Sequence, residues 1–249
     1  MELINNTVLI TGGGHGIGRA MAVALHRRGN RVVIAGRRAA ALRAVAEEHP
    51  GIEWHPLDLT DIECIRRFVE TLAHRWPDVD VLINNAGAMA VEDLDAPDIA
   101  VPVSLVATNL LGPIALTSLL IPRLRAVPGA AIINVTSALA FVPLAAAPTY
   151  SATKAGLHAY TEALRILLRD SDVRVIEIAP PLVATEMSES RGADADVFVA
   201  DVLTALTTSP DATEVVVEAA RALRYADREG RYADALATVN ATIEAEDLP

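Results

Sequence analysis

Short apolar runs alternate along the chain with longer stretches of helical periodicity. The runs are rich in Val and Ile and bounded by Gly, Pro, Asn or Asp, which is typical of buried parallel strands. Because helical stretches separate them, the pattern predicts a three-layer α/β fold, a doubly wound parallel sheet of six or seven strands with helices on both faces. The six predicted strands are Thr7 to Thr11, Arg31 to Ala35, Ile52 to Leu57, Val79 to Asn84, Ala130 to Thr136 and Val173 to Ala179.

Apolar stripes predict the helices. A stripe from Ile17 to Leu25 indicates the first helix, and Gly29 follows it where a C-terminal glycine cap belongs. The chain after Pro180 is first polar, then small and acidic, then Ala-rich and helical, and it shows no evident seventh strand. No Pro/Ser linker divides the sequence, so we predict one domain over residues 1–249. Further helices are predicted over Ile62 to Trp76, Val103 to Leu124 and Tyr150 to Leu168.

Composition and charge narrow the class of protein. The net charge is −11, which disfavours nucleic acid and anionic membranes as partners because both attract clustered Lys and Arg. The N-terminus has no signal-peptide pattern, and we find no apolar stretch of membrane-spanning length, so the expected location is the cytoplasm. The single cysteine, Cys64, fits a reducing compartment and is expected to be a packed or half-exposed residue with no reactivity. We predict no metal site.

A glycine-rich turn follows the first predicted strand and opens the first helix. Glycines there let a pyrophosphate approach the helix N-terminus, where free N–H groups and the helix dipole favour an anion. The alternative is a tight turn with a structural role alone, which the position between strand and helix disfavours. The predicted cofactor contacts in this turn are Gly12, Gly14, His15, Gly16, Ile17 and Gly18.

The end of the second strand bears on the choice of nicotinamide cofactor. An NAD site commonly has an acidic residue there for the ribose 2′-hydroxyl, whereas this chain has Gly36 followed by Arg37 and Arg38. A guanidinium group can bind a 2′-phosphate, so we predict that NADP(H) is preferred over NAD(H), with Arg37 as the main contact and His15 as a weaker one. Solvated helix-start charges are the alternative interpretation of the two arginines.

The ends of the third and fourth strands supply further candidate contacts. The Asp58 carboxylate, next to Leu59, can accept a hydrogen bond from an adenine amino group; it can equally cap the following helix, as can Thr60 or Asp61. Small and amide residues after the fourth strand suit a backbone that packs against a cofactor, although a purely structural turn is also open. Those residues are Asn85, Ala86 and Gly87.

Tyr150 and Lys154 are the candidates for acid–base chemistry. A spacing of four puts the phenol and the ammonium group on one face of a helix, where the cation would lower the tyrosine pKa. Ser137 ends the fifth strand and can donate to a carbonyl oxygen as charge develops. Thr136 precedes it, and strand alternation sends that side chain to the other face. A Tyr/Lys pair alone is usually a pair of exposed residues without a catalytic role. Ser137 and the glycine turn make this pair a candidate active site.

These motifs together resemble the short-chain dehydrogenase/reductase family over Thr7 to about Met187. They are the glycine turn at Thr11 to Gly18, N-N-A-G at Asn84 to Gly87, Ser137, and Y-x-x-x-K at Tyr150 to Lys154.

The resemblance implies a Rossmann fold and hydride transfer between a nicotinamide and a substrate carbon. Tyr150 is then the proton donor and acceptor, Lys154 binds the nicotinamide ribose and lowers the tyrosine pKa, and Ser137 orients the substrate oxygen. Asn109 matches the family asparagine that holds a water of the proton relay. Val183 matches a backbone contact to the nicotinamide amide. The substrate would be a carbonyl compound or an alcohol.

The chain also departs from the family pattern. It has Pro180-Pro181 where Pro-Gly is usual, and nothing matches the C-terminal V-D-G-G strand of many tetrameric relatives. The tail and the opening segment Asn5 to Thr11 together resemble a bacterial subgroup exemplified by the oxidoreductase of the D-alanyl-lipoteichoic acid operon. We expect a substrate lid at about residues 182–205, a helical tail at about residues 211–249 and a homodimer or homotetramer. The expected pocket wall is apolar, which favours a neutral or hydrophobic substrate: Met89, Leu139, Phe141, Leu144 and Met187.

Two other classes of protein remain open at this point. An NADP(H)-binding regulatory or sensor protein needs the Rossmann fold but not the acid–base set. A methyltransferase binds S-adenosylmethionine on a Gly-rich turn, but it has no use for the Tyr/Lys pair.

Overall fold

A computed structural model of the chain describes residues 3–188 and 190–241. Seven parallel strands form one sheet in the order β3-β2-β1-β4-β5-β6-β7. The strands are β1 (Thr7–Thr11), β2 (Arg31–Gly36), β3 (Ile52–Pro56), β4 (Val81–Asn84), β5 (Ala131–Val135), β6 (Arg174–Ile178) and β7 (Glu214–Val215). The predicted doubly wound α/β fold is confirmed.

Helices cover both faces of this sheet. They are α1 (Gly16–Arg27), α2 (Ala39–Glu48), α3 (Ile62–Arg75), α4 (Ala100–Val106), α5 (Gly112–Leu124), α6 (Pro148–Leu167), α7 (Ala195–Thr208), α8 (Glu218–Arg224) and α9 (Tyr232–Asn240). The predicted helices agree with α1, α3 and α6 within a few residues. Gly29 follows α1 with φ of 86°, a conformation that suits glycine at a helix end.

The seventh strand corrects the expectation that the tail is helical throughout. Glu214 and Val215 pair in parallel with Glu177 and Ile178 of β6. A strand of two residues is too short to show an alternating pattern, and for that reason the sequence gives no signal for it.

Strand alternation divides the core into two layers. Val8 and Ile10 of β1 pack with α1 and α7 on one face, whereas Leu9 packs with α3, α5 and α6 on the other. Parallel strands buried on both faces need apolar side chains at every position, which explains the continuous Val- and Ile-rich runs.

The helix predicted over Val103 to Leu124 begins earlier, at Ala100, and contains a π-helical turn at Ala107–Leu111. Pro113 has no N–H to donate to the carbonyl of Asn109, four residues earlier, so regular α-helical bonding is lost there.

By length and composition the run Ala100–Leu124 is apolar enough to span a membrane, contrary to the sequence expectation. Close to half of its most apolar window is buried in the protein, and core helices have the same composition.

Candidate active site

The glycine turn joins β1 to α1 and is shaped by close backbone approach. Gly12 has φ of 71°, and a Cβ atom there would lie 2.8 Å from Cα of Ala86. A Cβ atom at Gly18 would lie 2.3 Å from the carbonyl oxygen of Gly12. Only glycine fits both positions, because any side chain would displace the backbone facing it. The N–H groups of the first turn of α1 therefore lie at the carboxyl edge of the sheet, where an anion is favoured.

The segment after β4 is bonded to this turn. The Thr11 hydroxyl accepts hydrogen bonds of 3.1 Å from the N–H groups of Asn85 and Ala86. The Asn85 amide donates to the carbonyl of Thr11 at 2.9 Å. The predicted residues Asn85 and Ala86 thus hold the glycine turn in place. These hydrogen bonds directly support the alternative that the segment is a structural turn.

Arg37 and Asp58 lie together at the β2–β3 end of the sheet. Both line a cavity of about 340 Å³, together with His55 and Arg67. One carboxylate oxygen of Asp58 accepts from the N–H and the hydroxyl of Thr60, at 2.9 and 2.8 Å. The cap of α3 is Asp61, which accepts from the N–H groups of the first turn. Of the three capping candidates in the sequence, Asp61 therefore has the role, and Asp58 closes the turn before it.

The Leu59 side chain is buried against the start of α5. A Cβ atom at Gly112 would lie 2.6 Å from Cβ of Leu59, so this contact requires a glycine. Val183 is also buried, and its carbonyl oxygen accepts from the Ser188 hydroxyl at 2.7 Å. Both predicted contacts thus have a packing role in the fold.

Asn109 lies on the π-helical turn, and its side chain is fully buried. Its amide donates to the carbonyl of Ala88 at 2.8 Å and accepts from the N–H of the same residue at 2.8 Å. The two hydrogen bonds join the π-helical turn to the segment after β4. A Cβ atom at Gly87 would lie 3.5 Å from Oδ1 of Asn109 and 3.5 Å from Nζ of Lys154. These three predicted residues are therefore neighbours.

Ser137 and Tyr150 come together where β5 ends and α6 begins. The Tyr150 phenol lies close to the Ser137 hydroxyl, which favours its phenolate form. The Ser137 oxygen accepts from the N–H of Leu139 at 3.1 Å. Burial raises the pKa of Tyr150 above its ordinary value, and the Ser137 hydroxyl opposes that shift. The sequence expectation was a lowered pKa; in this geometry desolvation of the phenolate is the largest cause and sets the direction of the shift.

Lys154 lies one helical turn after Tyr150 and is buried. Its Nζ donates to the carbonyl of Val135 at 2.9 Å and lies 5.7 Å from the centre of the Tyr150 ring. Burial lowers the pKa of Lys154 to about 8. The ammonium group thus has a fixed position between β5 and the segment after β4.

Apolar side chains surround Tyr150, and three of the five predicted pocket-wall residues are among them. Met89, Leu139 and Leu144 pack in its cluster, joined by Val239 of the tail helix α9. Phe141 packs elsewhere, with its ring 4.8 Å from the His158 ring, and Met187 is 36% exposed.

A buried acidic residue behind Ser137 was not among the sequence candidates. Glu177 on β6 accepts from the Thr136 hydroxyl at 2.7 Å, and Nδ1 of His158 lies 2.8 Å from its other oxygen. Thr136 thus faces away from Ser137, as strand alternation predicts. The guanidinium group of Arg224, on α8, lies 4.3 Å from the centre of the Phe141 ring. The Arg224 contact connects the tail to the turn after Ser137. The residues of each of these contacts are far apart in the sequence, so no local pattern could predict them.

The sheet order and the glycine turn define a Rossmann-type nucleotide-binding fold. A family model, short chain dehydrogenase, matches residues 6–196, and the chain therefore belongs to the short-chain dehydrogenase family of oxidoreductases. It is 41% identical over 191 residues to an uncharacterised oxidoreductase, DltE, of Bacillus subtilis, which is 76% of each chain. The resemblance to this family and to its lipoteichoic acid operon subgroup is confirmed.

Two further similar proteins use or bind NADP. An NADP-dependent 3-hydroxy acid dehydrogenase of Schizosaccharomyces pombe is 32% identical over 76% of each chain. The crystal structure of a short chain dehydrogenase of Burkholderia cenocepacia in complex with NADP has a TM-score of 0.81 at 29% identity. It covers 95% of this chain and 99% of its own. Nicotinamide nucleotide binding is thus a property of close structural neighbours.

Proposed function

We propose that this protein is an NADP(H)-dependent oxidoreductase that interconverts a carbonyl compound and an alcohol. The observation that carries the proposal is the meeting of Ser137, Tyr150 and Lys154 at the carboxyl edge of the sheet, beside the glycine turn. A buried phenol close to a serine hydroxyl, with a buried ammonium group beside it, is an arrangement for proton transfer to an oxygen atom.

The residues have distinct roles in the reduction of a carbonyl group. The Ser137 hydroxyl and the Tyr150 phenol both donate to the substrate oxygen, and Tyr150 passes its proton to that oxygen as negative charge develops there. Lys154 binds the nicotinamide ribose and favours the phenolate form that remains. When bound, the nicotinamide supplies or accepts the hydride. Asn109 holds the segment after β4, and its carbonyl oxygen lacks the usual i+4 donor because of Pro113, which suits the binding of a relay water.

The chain offers a matching cradle for the cofactor. The close approach at Gly12 and Gly18 leaves backbone rather than side chains at the pyrophosphate position. Exposed Arg37, at the end of β2, supplies a guanidinium group for the 2′-phosphate, and the NADP-related neighbours support this preference over NAD(H). Val183 then contributes a backbone contact to the nicotinamide amide.

The apolar cluster around Tyr150 supports a neutral or hydrophobic ketone, aldehyde or secondary alcohol as substrate.

We also propose a cytoplasmic homo-oligomer. Large apolar side chains lie exposed on α4, the π-helical turn and α6, where a second copy can cover them: Val103, Leu111, Ile166 and Leu167.

A screen of NADPH oxidation against ketones, aldehydes and quinones tests the proposal. We expect turnover with at least one neutral carbonyl compound, and faster turnover with NADPH than with NADH at equal concentrations. A fluorescence titration with NADPH runs in parallel. Tight binding without turnover of any probe would favour the sensor alternative, and binding of S-adenosylmethionine in place of NADPH would overturn both.

A further inference from the structure

The segment 143–149 leads directly into Tyr150, and hydrogen bonds hold it from two sides. We call it the approach segment. Its residues Leu144 and Ala147 pack against Tyr150. A cavity of about 460 Å³ lies beside it, lined by approach-segment residues and by Tyr232, Leu236 and Asn240 of α9. Close packing is therefore incomplete here, and hydrogen bonds add to it. The Ser151 hydroxyl, on α6 itself, accepts from the N–H of Leu144 at 3.1 Å, and two side chains bond to the segment from outside α6.

Glu92 holds the approach segment from the loop after β4. One oxygen of its carboxylate accepts from the N–H of Thr149 at 2.8 Å, and the other accepts from the Thr149 hydroxyl at 2.7 Å. The N–H of Glu92 donates to the carbonyl of Ala146 at 3.0 Å. Ala147 precedes α6 at the N-cap position and Pro148 is its first residue, and neither has a side chain able to cap the helix. Glu92 therefore acts as a cap from a distant part of the chain.

Asn240, the last residue of α9, holds the same segment from the tail. Its side-chain oxygen accepts from the N–H of Ala145 at 2.7 Å. Its amide nitrogen donates to the carbonyl of Pro143 at 3.2 Å and to the carbonyl of Leu236, within α9, at 2.8 Å. One amide thus fixes two backbone groups of the approach segment and is itself held by its own helix.

We propose that Glu92 and Asn240 are positioning residues that set the place of the Tyr150 phenol relative to Ser137. The inference rests on the proposed function, because it assigns these two residues a role in the same proton transfer. Neither touches the phenol; both act through the backbone of residues 143–149. A small displacement of a reacting group is enough to slow catalysis strongly, about a hundredfold for a shift near 1 Å.

The test compares Glu92→Ala, Asn240→Ala and the double variant, using NADPH and the best carbonyl substrate from the screen. We expect kcat to fall about tenfold in each single variant and further in the double variant. The NADPH dissociation constant and the melting temperature should stay close to those of the wild type. Glu92→Gln should restore most of the lost kcat, because an amide can still accept from the Thr149 N–H. Asp95→Ala and Thr238→Ala, at exposed positions on the same loop and helix, are the matched controls.

Unchanged kcat in both alanine variants would overturn the inference. So would a loss of kcat that follows the melting temperature, or a loss in Glu92→Gln as large as in Glu92→Ala. If the wild type turns over no probe, the proposed function fails. Hydrogen exchange of residues 143–149 with NADPH bound then tests the two contacts separately. Faster exchange in each alanine variant supports them, and unchanged exchange overturns them.

Discussion

Nζ of Lys154 donates to the carbonyl oxygen of Val135 at 2.9 Å, two residues before Ser137. This single bond fixes the ammonium group of α6 against the end of β5, and the Tyr150 ring centre lies 5.7 Å away. A cation held in the protein interior has a cost to stability, since burial lowers its pKa to about 8.

The pH dependence of stability should show that cost. Between pH 8 and 10.5 the unfolded lysine is still protonated and the folded one is not, so the unfolded state binds more protons and stability rises with pH. Below pH 8 both states are protonated and the full penalty is present. Relative to Lys154→Met, the wild type should gain about 2 kcal/mol in the free energy of unfolding from pH 7.5 to 9.5. Urea denaturation at both pH values measures it.

A constant difference between wild type and Lys154→Met over that range would show that the group is not desolvated. Lys154→Met should also lose turnover at both pH values, because the ribose contact and the charge beside the phenol disappear together. An unchanged rate would remove Lys154 from the proposed mechanism.

Replacement of Tyr150 tests the proton transfer itself. Tyr150→Phe keeps the ring among its apolar neighbours but removes the hydroxyl that lies close to Ser137. We expect kcat to fall by at least about a hundredfold, with NADPH binding close to that of the wild type. Tyr160→Phe, which removes a half-buried hydroxyl elsewhere on α6, is the control and should keep its activity. Substantial turnover by Tyr150→Phe would contradict the assignment.

Much of the fold could be predicted because its signals are local. Apolar runs mark β1 to β6 within a few residues, and the glycine turn is recognisable from its place between a strand and a helix. The π-helical turn was missed, although Pro113 gives a sequence signal for it, four residues after Asn109.

The remaining parts of the site depend on contacts between distant residues. Glu92 and Thr149 are 57 residues apart, and Asn240 and Ala145 are 95 apart, so no window of sequence contains either pair. The direction of the Tyr150 pKa shift also could not be predicted, because burial decides it and the spacing to Lys154 does not show burial.

Arg37 should decide between the two nicotinamide cofactors. Arg37→Gln removes the guanidinium group proposed to bind the 2′-phosphate, so the NADPH dissociation constant should rise about tenfold or more. The constant for NADH should hardly change, because NADH lacks that phosphate. Arg66→Gln, on the exposed side of α3, is the control and should change neither constant. Fluorescence titration measures both, and an equal loss of affinity for the two cofactors would point to damage in the fold instead.

His158 and Glu177 should make stability depend on pH in the opposite direction to Lys154. The 2.8 Å hydrogen bond from Nδ1 to Glu177 raises the pKa of His158, and the charges of Glu177 and Glu162 add to this shift. Burial of the imidazole opposes it, as does the charge of Arg224 on α8. A raised pKa means that the folded state holds its proton longer than the unfolded state. The stabilisation is therefore full below pH 6.5 and is lost as pH rises through the folded-state value.

The variant His158→Phe removes the donor and leaves the Glu177 carboxylate buried with Thr136 alone. We expect it to lose about 1 to 2 kcal/mol in the free energy of unfolding at pH 6, and less at pH 9, where the wild-type imidazole is neutral. Glu162→Gln, at an exposed position one turn later on α6, should change stability little at either pH. A deficit for His158→Phe that grows from pH 6 to pH 9 would mean that the imidazole binds Glu177 in its neutral form. The contact would then be an ordinary hydrogen bond between a neutral imidazole and the carboxylate.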